Sequence, residues 1–185
     1  MDLLEAIHTR QSIPKVKPDP VPRPLVEKLL SAAVQAPNHH RVRPWRFVVI
    51  EGEARQRLGD IMAQSLKKRQ PETLEPALEV ERSRPLRAPL LIAVGVDKPR
   101  EAKVVETENI CAAAAAAQNL LLAAHGLGLA GMWRTGPAAS DPDVKSYLGF
   151  EPDQHLISFL YIGYPEADRP PVERPSFEDR TIWME

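Results

Sequence analysis

The sequence lacks several features that would indicate a particular compartment or class of partner. It has one cysteine, so no disulfide framework can form within the chain. It has no basic surplus of the kind that nucleic-acid-binding proteins carry, because 24 Lys and Arg residues are balanced by 25 Asp and Glu residues. Residues 1–5 are acidic where a secretory signal peptide is basic, and no apolar stretch follows them. These absences favour a cytoplasmic protein whose partner is a small molecule.

The sequence also lacks an apolar run long enough for a membrane-spanning helix, which needs about 20 residues. The strongest candidate, residues 110–124, is interrupted by Gln118 and Asn119 and is bounded by acidic residues and a histidine. A helix in this stretch would be apolar on nearly all faces, so it is predicted to be a core helix enclosed by other elements. Cys111 lies within it and is predicted to be a small buried hydrophobe.

What is present is an alternation of helix and strand patterns over a single domain of 185 residues. A short helix is predicted after Asp2, with Leu3, Leu4 and Ile7 on its apolar face. Further helices are predicted at 24–36, at 58–66 and after Asp141, and strands at 45–50, 88–96, 130–135 and 156–162. The charged stretch 67–87 has little core character and is a possible surface lid. The order of elements predicts helices packed against a sheet in an α/β or α+β fold.

A glycine cluster, Gly126-x-Gly128-x-x-Gly131, matches the dinucleotide-binding fingerprint. That motif requires a strand before the glycines and a helix after them, so that a pyrophosphate meets the helix N-terminus. Here a predicted helix precedes the glycines and a predicted strand follows. We therefore interpret the cluster as a helix end, with Gly126 predicted to adopt the left-handed conformation that terminates it.

Two polar clusters could carry chemistry. Arg10-Gln11-Ser12 follows the first helix and could bind a phosphate, although an arginine at a helix end is more often simply solvated. The loop 36–45 contains the adjacent residues His39 and His40, which have no further metal ligand at a suitable spacing. No nucleophile elbow or pair of catalytic carboxylates is evident. An enzyme built on this chain would depend on a cofactor.

Three motifs occur together in a recognisable order: Arg10-x-Ser12, Ala36-Pro37-x-His39 leading to Pro44-Trp45, and Gly131-x-Trp133-Arg134-x-Gly136. In this combination, over nearly the whole chain, the sequence resembles the compact branch of the nitroreductase family. The resemblance implies an α+β fold, a three-layer α/β/α sandwich around a mixed, mostly antiparallel sheet, with FMN held at a homodimer interface. It also implies electron transfer from NADH or NADPH to nitroaromatic, quinone or similar acceptors by a ping-pong mechanism.

The resemblance assigns cofactor-binding residues in three groups. The FMN phosphate and ribityl chain would be bound by Arg10, Gln11 and Ser12. The flavin would be lined from the partner subunit by Gln35, Pro37, Asn38 and His39. The isoalloxazine ring would be bordered by Gly131, Met132 and Trp133. No side chain is expected to be catalytic and no metal is expected, because the flavin carries the chemistry.

The sequence departs from the family pattern at several positions. Many members have Arg where this chain has Gln11, which removes one positive charge near the phosphate, and Arg174 is a candidate to replace it. Many members have Asn and Gln where this chain has Arg41 and Arg43, so the role of these two arginines and the substrate preference stay open. A positive group near the flavin would stabilise its anionic reduced form, and His39, Arg41 and Arg134 are the candidates.

The last residues, 165–185, are rich in proline and are predicted to form an extended arm. Phe177, Ile182 and Trp183 are apolar enough to need a surface, so the arm is predicted to cross onto the partner subunit; the alternative is a disordered end.

The alternative function is a non-catalytic flavin-binding or storage protein, in which 67–87 keeps substrates out. A pure interaction module would be colourless. The physiological acceptor and the choice between NADH and NADPH stay open.

Overall fold

A computed structural model describes residues 1–167 and 170–185. Its centre is a four-stranded sheet in the order β1-β2-β4-β3, and neighbouring strands are antiparallel throughout. The strands are β1 Trp45–Glu51, β2 Leu90–Val96, β3 Ala130–Arg134 and β4 His155–Gly163. A parallel bridge joins Ser12 to Gly131 at the free edge of β3. The predicted α+β class and mostly antiparallel sheet are confirmed.

Seven helices accompany the sheet in the described residues. They are α1 Leu3–Thr9, α2 Arg23–Ala33, α3 Glu53–Arg69, α4 Glu75–Ser83, α5 Glu106–Gly126, α6 Pro137–Ser140 and α7 Pro142–Tyr147. Short 3-10 turns occur at His39–Arg41, Arg84–Arg87 and Glu178–Arg180. None of the helices in the described parts of the chain is long and apolar enough to cross a membrane.

The central strand β2 explains why the sheet is covered on both faces. All seven of its residues are buried, which matches its continuous apolar sequence. Leu90, Ile92 and Val94 pack in the core beneath α2 and α5, whereas Leu91 and Ala93 pack in a second core with α3 and α7. Because side chains alternate across a strand, one apolar run supplies both cores. The three-layer α/β/α arrangement follows from this alternation.

The core helix α5 is confirmed, but its enclosure is incomplete. Ala113, Ala116, Ala117 and Leu120 are completely buried, because α2 and the sheet pack against this side of the helix. Cys111, predicted to be buried, is exposed. The prediction was wrong because α2 and the sheet cover only two sides of α5, and Cys111 lies on an uncovered side.

The glycine prediction also needs correction. Gly126 is the last residue of α5 and has no left-handed backbone, and Gly128 supplies the positive φ of 76°. α5 therefore continues slightly farther than the glycine pattern indicated. The dinucleotide-binding fingerprint is excluded as predicted, because a helix, α5, precedes the glycine cluster and a strand, β3, follows it.

The charged stretch 67–87 is not a lid. It contains the last turn of α3, then α4 and a 3-10 turn. Arg82 on α4 forms ion pairs with Asp60 on α3 and with Glu75 and Glu79 on its own helix. The α4 backbone lies so close to α3 that a side chain at position 59, which is Gly59, would clash with the Arg82 carbonyl group. This segment is therefore part of the layer on the α3 side of the sheet.

Two apolar surfaces are left uncovered in the single chain. Leu3, Leu4 and Ile7 form the predicted apolar face of α1, yet they are all exposed. Near the C-terminus, Ile182 is 89% exposed and Trp183 is 79% exposed. Such surfaces are typical of chains that associate.

Candidate functional site

The first and third sequence motifs meet at the free edge of β3. Ser12 forms the parallel bridge with Gly131, and the Ile13 amide donates to the Gly131 carbonyl oxygen at 3.3 Å. On its other side Gly131 pairs with Ile162 of β4. The residues predicted to bind the phosphate and ring portions of one ligand are therefore neighbours, although they are more than 100 residues apart in sequence.

Arg10 caps the C-terminal end of α1, where its side chain has little counter-charge. Burial, together with the nearby Arg174 guanidinium, lowers the pKa of the Arg10 guanidinium. Arg174 Nη2 donates to the Arg10 carbonyl oxygen at 3.1 Å, and Gln11 Nε2 donates to the Pro170 carbonyl oxygen at 3.0 Å. Arg10 forms no ion pair with any described residue. Two guanidiniums therefore come together here, an arrangement suited to an anionic group.

The C-terminal end of α5 borders the same place through His125. Its Nε2 lies 2.8 Å from Thr9 Oγ1. Burial and, secondly, the charge of Arg10 lower the pKa of His125, so the imidazole is neutral at pH 7. A cleft of about 450 Å³ opens beside it and is lined by residues that include Met1, Gln11 and Pro171.

The loop after α2 has an unusual backbone. His40, Arg41 and Arg43 have φ values of 52°, 55° and 52°, a left-handed conformation that costs free energy for residues other than glycine. Asn38 Oδ1 accepts a hydrogen bond from the Arg43 amide at 2.9 Å and so holds the two ends of the turn together. Strain of this kind concentrates at functional sites.

This loop lies against the N-terminal half of α5. His39 Nδ1 is 2.7 Å from Glu108 Oε2. Pro37, Asn38 and His39 line a groove of about 380 Å³ whose floor is formed by α5 residues that include Cys111. Gln35 does not line the groove, because its side-chain amide donates to the Ser31 carbonyl oxygen at 3.3 Å.

The structure does not bring all of the predicted residues together within one chain. His39 is tied to Glu108 and Thr9 to His125, which are 17 positions apart on α5. At a rise of about 1.5 Å per residue, these contacts are separated by roughly 25 Å along the helix. The loop group and the Arg10 group therefore lie at opposite ends of α5.

Trp133 and Met132 occupy opposite faces of β3. Trp133 packs beside the core under α5, and its indole Nε1 donates to Thr135 Oγ1 at 3.1 Å. Thr135 Oγ1 in turn donates to the Ile157 carbonyl oxygen at 3.2 Å, which fixes the indole. Met132 packs against the other core. Of these two residues, only Trp133 faces the α5 side of the sheet.

Glu108 and His125 were not predicted to belong to this region. Both were treated only as polar boundaries of an apolar helix. Their positions at the two ends of that helix were visible in the sequence, but the partners that they contact, His39 and Thr9, were not.

Comparisons with known proteins identify the family of the chain. A model of the nitroreductase family matches residues 7–164. The chain is 32% identical to YdjA of Escherichia coli K12, a candidate NAD(P)H nitroreductase, with 90% of each protein covered. It is 34% identical to a candidate NADH dehydrogenase/NAD(P)H nitroreductase of Methanothermobacter thermautotrophicus, covering all of this chain and 87% of that protein.

The fold has a close counterpart among solved structures. A nitroreductase-like family protein from Bacillus cereus superimposes with a TM-score of 0.85 at 25% identity, over 100% of this chain and 97% of that one. With the family model covering most of the sequence, the chain belongs to the nitroreductase family, a family of oxidoreductases.

Proposed function

We propose that this protein is an FMN-dependent oxidoreductase that transfers electrons from NADH or NADPH to nitroaromatic, quinone or similar small acceptors. The observation that carries the proposal is the cationic end of α1. Arg10 and Arg174 lie together without a carboxylate partner among the described residues, beside the backbone of Ser12 and Gly131. A phosphate ester would compensate both guanidiniums while the rest of the cofactor followed the edge of β3. Arg174 would thus supply the charge that Gln11 lacks.

A homodimer is part of this proposal because one chain presents only part of the site. The loop group, Gln35, Pro37, Asn38 and His39, lies roughly 25 Å from the Arg10 group along α5. A second chain related by a twofold axis would place its loop beside the first chain's β3. The exposed apolar face of α1 and the uncovered side of α5 around Cys111 supply surface for such an association.

The roles of the side chains are binding and tuning. Arg10, Ser12 and Arg174 would hold FMN, which would supply the hydride- and electron-transfer chemistry. Trp133 is held in place by its hydrogen bond to Thr135 and would form one wall of the cofactor site. Arg41 and Arg43 bring positive charge to the loop, and positive charge favours an anionic reduced cofactor. Donor and acceptor would use the same space in turn, which is the ping-pong order.

The direct test is to identify the cofactor. We expect the purified protein to be yellow, and denaturation should release FMN that can be identified by HPLC. Oxidation of NADH or NADPH with added quinone then separates an enzyme from a flavin-storage protein. A protein that stays colourless after incubation with FMN would contradict the proposal.

Arg10→Ala tests the phosphate contact. We expect FMN binding to weaken by about 2 to 3 kcal/mol, the typical loss for a charge-assisted hydrogen bond, which is roughly a 30- to 150-fold higher Kd. Flavin fluorescence titration measures the affinity. Riboflavin, which lacks the phosphate, should bind wild type and variant equally, and Arg23→Ala, an exposed arginine paired with Glu27, is the matched control. Equal losses for FMN and riboflavin would show that Arg10 has another role.

We further propose that the whole chain is one FMN-binding domain and that residues 165–185 are an arm that crosses onto the partner. Pro165 pairs with Val16, so the arm starts from the body of the domain, and Phe177, Ile182 and Trp183 then project without cover. Burying such side chains would contribute about 1.5 to 3 kcal/mol each. Two of the arm's residues, 168 and 169, lie outside the described part of the chain.

Removing residues 168–185 tests the arm. We expect the truncated protein to show a higher dimer dissociation constant by light scattering over a dilution series, and reduced FMN occupancy because Arg174 is lost with the arm. Trp183→Ser in the full chain is the narrower variant, since it removes apolar surface and leaves Arg174 in place. An unchanged dimer dissociation constant in both variants would show that the arm is not part of the interface.

A further inference from the structure

A small pocket at the end of β3 has no role in the function proposed above. It has a volume of about 190 Å³ and lies on the α3 side of the sheet. The guanidinium-bearing residues Arg84, Arg87 and Arg134 line it, and the rings of Phe159 and Tyr161 contribute aromatic surface. No carboxylate lies among its described lining residues. The three arginines come from two distant parts of the sequence, and the fold brings them together.

The positive charge of this pocket is mostly uncompensated. Arg84 Nε pairs with Glu81 Oε2 at 3.1 Å. Arg87 and Arg134 form no ion pair with any residue that the structure describes. Like charges at short range repel each other, so this grouping is unfavourable unless an anion joins it. Guanidiniums are also the side chains best matched to the geometry of carboxylate and phosphate groups.

Tyr161 supplies a further donor. Its side chain is mostly buried, with a relative exposure of 9%, and the Arg134 guanidinium carbon lies 5.7 Å from the centre of its ring. Burial raises the pKa of the Tyr161 hydroxyl despite the opposing effect of the three arginines. The hydroxyl therefore remains protonated at neutral pH and can donate to an anion.

We propose that Arg84, Arg87, Arg134 and Tyr161 form a binding pocket for a small oxyanion, a carboxylate or phosphate group. The volume suits such a group and excludes a nucleotide. The anion could be free in solution or be a substituent of the electron acceptor, since Arg134 lies two positions after Met132 and so shares its face of β3. The pocket itself is independent of the proposed oxidoreductase activity. Only the second source of the anion rests on that activity.

Calorimetric titration of the purified full chain tests the pocket, with inorganic phosphate and benzoate as probes in a zwitterionic buffer of low ionic strength. Arg10→Ala is titrated in parallel, because the cationic end of α1 is another place where phosphate could bind. We expect one anion site to remain in that variant. In the same background, Arg87→Gln and Arg134→Gln should each weaken binding by about tenfold or more, as loss of a charge-assisted contact does. Tyr161→Phe should weaken it by a smaller factor.

Arg57→Gln is the matched control. Arg57 is an exposed arginine on α3 paired with Glu53, so its loss changes net charge by the same amount and should alter the Kd by less than about twofold. Absence of saturable binding of both probes to the Arg10→Ala protein, or equal weakening by Arg57→Gln, would overturn the proposal. Circular dichroism of each variant confirms that the fold is retained.

Steady-state kinetics distinguish the two sources of the anion. If the acceptor carries it, Arg134→Gln should raise KM for p-nitrobenzoate and leave KM for the neutral p-nitrobenzamide unchanged. If the anion is free, phosphate should bind in the titration and both KM values should respond alike to Arg134→Gln. The kinetics assign the source of the anion, whereas the titration alone decides whether the pocket exists. Because the titration requires no turnover, it gives an answer even if the protein proves to have no reductase activity.

Discussion

Asp141→Ala should lower the free energy of unfolding by about 2 to 4 kcal/mol, because it removes the cap of α7, worth about 1 kcal/mol, and leaves the buried Ser65 hydroxyl without its acceptor, which costs about 1 to 3 kcal/mol. The Asp141 side chain is 1% exposed and accepts hydrogen bonds from the Arg69 guanidinium and the Ser65 hydroxyl. Its Oδ1 also caps α7, accepting from the amides of Asp143 and Val144 at 3.0 and 3.1 Å. Alanine would remove the counter-charge of Arg69 and both cap bonds at once.

Urea denaturation of the variant measures this loss. Asp141→Asn separates the two contributions, because an amide oxygen can still cap α7 but carries no charge. Asp143→Ala is the matched control, since Asp143 lies two positions away in an exposed ion pair with Lys68 and should cost less than about 1 kcal/mol. Similar losses of unfolding free energy for Asp141→Ala and Asp143→Ala would show that burial of the Asp141 carboxylate adds nothing to its contribution.

Gly59→Ala should destabilise the protein by about 3 kcal/mol, the upper end of the usual cost of overpacking. A Cβ atom at Gly59 would overlap the carbonyl oxygen of Arg82 and lie 3.0 Å from its carbonyl carbon. Backbone atoms cannot change rotamer, so α4 would have to move away from α3. The higher helix propensity of alanine, worth about 1 kcal/mol, offsets only part of this cost.

The control for Gly59→Ala is Gly126→Ala. Gly126 is also helical, and a Cβ atom there would have no neighbour within 4 Å. We expect the control to unfold at the same or slightly higher urea concentration than wild type. A Gly59→Ala protein as stable as the control would mean that α4 is not held tightly against α3.

The sequence was a good guide to elements whose pattern is local. β2 was predictable because a buried strand needs apolar residues on both faces, and α7 because Asp141 precedes a proline at a helix start. The three motifs indicated the family because their order and spacing survive in the sequence even where single positions such as Gln11 differ.

Features that depend on which surfaces meet were not predictable. An apolar helix shows that it is covered but not on which side, so the exposure of Cys111 was missed. The stretch 67–87 resembled a lid because its charges are solvated on one face. It is held in place by the close approach of Arg82 to Gly59, and a residue without a side chain gives no sign of such a contact in the sequence. Arg87 and Arg134 are 47 positions apart, and only the fold brings them to one pocket.

The length of α5 has a consequence for how this chain can tolerate insertions and deletions. The helix is a rigid rod whose two ends hold His39 through Glu108 and Thr9 through His125. One residue added between those ends would rotate one contact relative to the other by about 100° and shift it by about 1.5 Å. Small residues in the rod can replace one another, but its number of residues is fixed by the two contacts. Length variation should therefore occur in the connections, such as residues 97–105, and not within the rod.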